Sequence, residues 1–274
     1  MAQSTAIKQG KSPALAGLNH PLVLKLVYPI AGIASLYGLW WLGGFLIAAN
    51  PDTASFADFA PGPTIDALWG MISRGEIWSM AEPSLMRIFG GLLWAVCLGV
   101  PMGIAIGRKP VVREITHVPF QFLRMISPLS WMPIAVLVFA TWDAAIVFLI
   151  AMAAVWPVTF ATANGLRKVD PSWFKVARNL GAKGHQMLLT IIMPAIAQDV
   201  LTGIRLALGV AWIVLVPAEY LGVTSGLGYS INDARDTLEY DRLAAIVVII
   251  GVIGFVLDWF LLTLIKRYSW VREG

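Results

Sequence analysis

Only 13% of this 274-residue chain is charged, so each charge inside an apolar run marks a place where chemistry could occur. Arg205 sits about eleven residues into such a run. An ionisable side chain there is costly and faces protein or water. Its guanidinium could attract a planar oxyanion, which it fits in a bidentate way. It could equally close an ion pair within a bundle, and the sequence leaves both readings open. Arg87 and Arg124 stand near the ends of their runs, where snorkelling to an interface is the ordinary account and recruitment of an anion the alternative. Ser127, Ser130 and Trp131 could line a path with hydroxyl donors and a bulky gate, or the serines could bond back to helix carbonyls. Glu219 would repel an anion, which favours a structural or gating role. Asp199 and Asp258 call for nearby basic partners, which cannot be named from sequence.

Other chemistries find no residues. His20, His117 and His185 are scattered and lack metal or haem spacing. Cys97 is the single cysteine, so no disulfide forms within the chain. No Ser/His/Asp set or paired carboxylates stand out. Gln9–Ser12, QGKS, lacks the first glycine of a phosphate loop and is followed by Pro13. The chain therefore reads as neither an enzyme nor a metal or cofactor binder.

The elements that hold these residues are membrane helices. With 58% hydrophobic residues and a mean hydropathy of +0.75, the chain cannot cover a soluble surface. Runs long enough to span occur at 27–49, 88–107 (starting near Ser84), 120–142, 144–166, 194–218 and 243–265. The fold expected is all-α and polytopic, with six transmembrane helices over 21–274 and a polar N-terminal tail over 1–20. Most of the 20 basic residues fall on one set of loops and most acids on the other. Basic residues mark the cytoplasmic side, so both termini are expected inside. The net charge of +4 then reflects those loops and not nucleic-acid binding. Gly99, Gly103 and Gly107 form a small-residue row suited to close helix packing. Pro101, Pro128 and Pro133 predict kinks. Trp40, Trp41, Trp142 and Trp270 suit interfacial belts.

One polar stretch interrupts the apolar pattern: Asp170–Pro194, DPSWFKVARNLGAKGHQMLLTIIMP. Asp170 can cap a helix and Pro171 suits its first turn. Trp173, Val176, Ala177 and Leu180 fall on one helical stripe, and Gly181 suits the stop. Lys175, Arg178 and Lys183 lie off the stripe. A helix lying on lipid and a docking element for a soluble partner both fit this pattern.

The segment resembles the cytoplasmic signature of ABC importer permeases: Glu-Ala-Ala, three residues, Gly, nine residues, Ile-x-Leu-Pro. Here Lys175-Val176-Ala177 is followed by Gly181, Ile191, Met193 and Pro194 at the same spacing. Lys175 replaces the Glu, Val176 the first Ala and Met193 the Leu. Ala60–Trp78, Pro83–Arg108, Arg124–Phe139, Ala153–Leu166 and Leu201–Tyr229 are similar to the nitrate/sulfonate/taurine/bicarbonate branch. The resemblance implies that 167–193 is a coupling loop whose helix, with Arg178, Ala182 and the signature residues, docks on an ATP-binding subunit. It implies a second permease copy (a homodimer), two ATP-binding subunits carrying ATP and Mg, an external solute-binding protein and a bacterial inner membrane. The cargo implied is a small oxyanion, nitrate or a relative ahead of sulfonate, taurine or bicarbonate. A secondary transporter, the rival class, would need internal repeats and paired intramembrane carboxylates.

Overall fold

The computed structural model describes residues 26–273, with side chains to 267. The tail over 1–20 and the Trp270 side chain lie outside the described residues. Among the described residues the chain is helical throughout: α1 (Tyr28–Ala49), α2 (Pro61–Ser73), α3 (Glu76–Arg108), α4 (Pro110–Met125), α5 (Met132–Val138), α6 (Trp142–Lys168), α7 (Pro171–Asn179), α8 (Gly184–Gln186), α9 (Met193–Gly222), α10 (Leu227–Asp236) and α11 (Tyr240–Glu273). Short 3-10 turns cover Ala54–Phe59 and Pro128–Trp131, and a π turn, Met187–Ile192, leads into α9. The chain divides between Ala67 and Leu68 into two compact units. In the first, the segment after α1 folds back on it: Trp40 Nε1 donates to the Phe59 carbonyl at 2.9 Å, and a Cβ on Gly44 would lie 2.8 Å from that of Ala60.

The second unit is built on α6, whose most apolar stretch is 61% buried against 33% for α3 and 17% for α11. It packs on α3 through a row of small residues at every fourth position. A Cβ on Gly91 would meet the Ile150 side chain; on Gly99, Val158 at 3.0 Å; on Gly103, Thr162 at 2.6 Å and the Thr159 carbonyl at 2.5 Å; on Gly107, Leu166 at 3.1 Å. Ala95 fills the remaining position and is fully buried. The row expected from Gly99, Gly103 and Gly107 thus extends back to Gly91. Without side chains between them the two backbones approach closely, which is how helices associate where lipid supplies no hydrophobic drive.

The contacts advance in step, so α3 and α6 run parallel. Both start on acids, Glu76 and Asp143, and end on bases, Arg108 and Arg167/Lys168, each charge complementing the helix dipole. The unit therefore has an acidic end and a basic end. Helix α9 returns antiparallel along α6: a Cβ on Gly203 would lie 2.6 Å from that of Ala161, and Gly222 abuts the Trp142 ring. Helix α11 runs antiparallel to α9, with Gly254 under the Trp212 indole.

Among the described residues, five helices are long and apolar enough to cross a membrane, or six if a bent pair counts as one. The bent pair corrects the expected third span. Instead of one helix over 120–142, α4 stops at Met125 and the chain turns by 87° into Pro128–Val138. Pro128 supplies no amide hydrogen and forces the preceding residue out of the helical region; Ser127 sits at φ −57°, ψ 130°. Helix α4 is also more amphipathic than a span, with Val111, Ile115, Val118, Phe122 and Met125 forming an exposed apolar stripe. Pro83 and Pro101, by contrast, lie within one unbroken helix.

Gly103→Val forces a side chain against the Thr159 carbonyl. It should cost about 1–3 kcal/mol and lower the thermal midpoint in detergent. Gly209→Ala, where nothing lies within 4 Å of the new atom, should leave it unchanged.

Candidate functional site

At the acidic end, a buried charge cluster joins four helices and a loop. Arg87 on α3 is 4% exposed and Glu219 on α9 is 0% exposed. Arg87 Nη1 donates to Glu219 Oε1 at 2.5 Å and to the Ser225 carbonyl at 2.9 Å. Its Nε donates to Asp143 of α6 at 2.7 Å and its Nη2 to Ser225 Oγ at 2.9 Å. Glu219 also accepts from the Gly228 amide at 2.9 Å, and Ser84 Oγ lies 2.8 and 2.9 Å from its two oxygens. Ser84 in turn accepts from the Leu227 amide at 2.8 Å. The loop threads this closely because Gly226 (φ +108°) has no Cβ, which would lie 2.5 Å from Glu219 Oε1. Arg87 does not snorkel, contrary to expectation. Every face of its guanidinium is occupied, and a buried pair holds only when so satisfied.

Farther along the bundle, Arg205 Nε and Nη2 donate to the two oxygens of Asp258 on α11, each at 2.7 Å. Lys168 Nζ meets Asp199 at 2.7 Å. The two acids thus gain their partners, and of the two readings of Arg205 the structure displays the ion pair. Arg124 differs. Among the described residues it has no carboxylate partner; its guanidinium lies over the Phe160 ring, 5.4 Å from the centroid. It lines a cleft of about 460 Å³ with Asn164, Trp156, Phe160, Leu206 and Val210. The cleft runs along α6 from Ala153 to Asn164, about 17 Å at helical rise. Ser127 and Ser130 are exposed on the break after Arg124, and neither hydroxyl bonds back to a helix carbonyl among the described residues. Trp131 packs against the core of α6 and α9.

At the basic end, Asp170 caps α7 by accepting from the Ser172 amide at 2.8 Å. That backbone bond, with the Ser172 hydroxyl, holds the Asp170 carboxyl below its usual range. The helix closes on Gly181 (φ +78°), with Ala182 N donating to Ala177 O and Gly181 N to Arg178 O, both at 3.0 Å. This paired closure requires the left-handed residue. The apolar stripe splits. Ala177 turns inward and is buried, while Trp173, Val176 and Leu180 are exposed, Leu180 by 82%. With Ile191 and Pro194 they line an open apolar groove of about 660 Å³. Lys175, Arg178 and Lys183 are exposed on the same segment.

Sequence reasoning found Arg87, Glu219, Arg124 and the α7 stripe but missed the residues that complete each set. Ser84 stands one turn before Arg87 and was readable from that spacing. Asp143, Ser225 and Asn164 are brought in by tertiary packing alone.

The family described as "Binding-protein-dependent transport system inner membrane component" matches residues 95–270. The taurine transport system permease protein TauC of Escherichia coli is 32% identical over 257 residues, covering 91% of each chain. The bicarbonate transport system permease protein CmpB of Synechococcus elongatus is 32% identical over 251 residues, 86% of each. The putative aliphatic sulfonates transport permease protein SsuC of Bacillus subtilis is 36% identical over 197 residues, 72% of this chain and 71% of the relative.

Arg87→Met leaves Glu219 buried without its cation and should cost about 3–5 kcal/mol. Arg87→Met with Glu219→Leu should recover most of that, read as unfolding midpoints in detergent. The α7 cap is present above the ordinary carboxylate range and lost as pH falls through the lowered Asp170 value. Amide exchange over 172–180, corrected for intrinsic rate, should rise on that descent, and Asp170→Asn should abolish the pH dependence.

Proposed function

The chain belongs to the family of binding-protein-dependent transport system inner membrane components, and on that premise we propose that its cargo is a small oxyanion entering through the Arg124 cleft. It is a multi-pass inner-membrane permease of an ABC importer and not an enzyme. ATP hydrolysis lies on a separate subunit. The gradient-driven alternative falls with this membership.

The observation that carries the cargo class is the state of the arginines. Arg87 and Arg205 are paired within the chain, whereas Arg124 lines an open cleft without a carboxylate. A guanidinium and a side-chain amide supply donors matched to planar or tetrahedral oxyanions. Ser127 and Ser130 extend that lining, and Trp131 stands behind it. Arg205 joins the path in a state where Asp258 releases it. The named relatives carry taurine, bicarbonate and sulfonates in their descriptions. Their shared group is an oxyanion, and the preference for nitrate drawn from sequence gains no support from these three.

The basic end faces the cytoplasm in this reading, with both termini inside. The exposed Trp173, Val176 and Leu180, with the groove beneath them, receive the ATP-binding subunit, as aromatic and aliphatic anchors do at interface centres. Two copies of the permease enclose one path. Closure of the ATP-binding subunits drives α7, and α9 and α6 carry the motion to the Glu219 cluster, which closes the outer end.

With the binding protein present, ATP hydrolysis by the purified complex should rise with bicarbonate, nitrate, a sulfonate or taurine and not with chloride. Arg124→Gln should raise the half-stimulating concentration about tenfold. Leu180→Asp should strip the ATP-binding subunit while leaving the permease in the membrane. Stimulation unaltered by Arg124→Gln sinks the cleft assignment.

A further inference from the structure

A second cluster of cations lies at the basic end, apart from the cargo cleft. Arg108 closes α3, Arg167 stands in the last turn of α6 and Arg178 belongs to α7. All three line one cavity of about 450 Å³ with Gly107, Val169, Phe174 and Ile192. It lies on the side of α7 away from the apolar groove, since Pro171, Phe174 and Arg178 face it while Trp173, Val176 and Leu180 line the groove.

No acidic residue lines the cavity, and none of the three guanidiniums forms an ion pair among the described residues. Nearby bases do: Lys168 with Asp199 and Arg113 with Glu114. Arg178 Nε donates to the Phe174 carbonyl at 3.2 Å, which leaves its two terminal nitrogens free to take an anion. The carbonyl ends of α3 and α6 offset part of the charge. They cannot satisfy three planar donor forks, and like charges around one cavity repel without a counter-ion. The floor is apolar, through Leu166, Val169, Met187 and Ile192. Arginine forks over an apolar floor at the end of the spans are the chemistry that holds a phosphate group, as basic pockets between membrane helices on the cytoplasmic side do for lipid head groups.

We infer that Arg108, Arg167 and Arg178 form a binding site for a phosphate-bearing anion that ties α7 to the ends of α3 and α6. The lipid source of that phosphate rests on the inside-facing orientation proposed above; the site itself does not. Bound there, the anion fixes the angle of α7 and hence the presentation of Trp173 and Leu180.

The test uses the purified complex in two arms. In the first, native mass spectrometry follows retention of phosphatidylglycerol against phosphatidylcholine. In the second, the delipidated complex in neutral detergent is titrated with inorganic phosphate, with chloride at equal ionic strength as the control and thermal midpoint as the readout. Selective retention in the first arm identifies a lipid head group, and a saturable rise in the second identifies free phosphate. In either, Arg108→Gln with Arg178→Gln should weaken binding about tenfold, and Arg178→Lys, which keeps the charge and loses the fork, should fall between. Neither arm registering binding in the wild type, or binding unaltered by the substitutions, overturns the site. So does loss of the ATP-binding subunit from the variants with no anion bound in the wild type, which would assign the arginines to subunit docking. Both readouts are independent of transport, so a failed cargo assay leaves this test standing.

Discussion

No water is available inside a bilayer to solvate a charge, so every ionised group within the spans needs a partner or a polar opening. That constraint sorts the arginines of this chain. Arg87 is enclosed by Glu219, Asp143 and Ser225, and Arg205 is forked onto Asp258. Arg124 is left against an aromatic face in an open cleft. The close passage of α3 along α6 brings Arg87 to Asp143, while Arg205 and Asp258 meet between α9 and α11. Nearest the Glu219 cluster, a Cβ on Gly91 would run into the Ile150 side chain, one turn from Arg87.

The two ends of the second unit differ in kind. The acidic end is locked by a dense hydrogen-bonded cluster that includes a loop, and its substitution leaves buried charge behind. The basic end carries α7, fastened by its Asp170 cap and its Gly181 closure but presenting apolar side chains outward. The π turn between them and α9 is a loosely wound link of the sort found where helices must adjust. A hydrogen-bonded cluster at the acidic end and a π turn beside α7 at the basic end are thus joined through α9.

Much of this was legible in the sequence, for physical reasons. Spans declare themselves by length and hydropathy, and α7 declares itself by Asp170, Pro171, a four-residue stripe and Gly181. The glycine row was readable because only small residues recur at that spacing. The third span was misread because hydropathy is blind to a backbone break; Ser127-Pro128 held the signal, and a kink was expected where a turn of 87° occurs. Arg87 was misread as snorkelling because its partners come from positions 56 and 132 residues away, and sequence spacing carries no trace of such pairs. The split of the α7 stripe was hidden for a similar reason: periodicity gives a face, and packing decides which members of it are covered.

The central claim is that the Arg124 cleft is the cargo's way through. The direct test is accessibility. Cys97, the single native cysteine, is replaced by alanine, and Asn164→Cys is introduced opposite Arg124 in the cleft. An anionic thiosulfonate reagent is then applied to inside-out vesicles holding the whole complex, with and without bicarbonate, a sulfonate or taurine. The account predicts rapid modification that one of these anions slows and chloride does not, and loss of the rate advantage over a cationic reagent in Arg124→Gln. Modification at equal rates with either reagent and with or without every anion would place the cargo's path elsewhere.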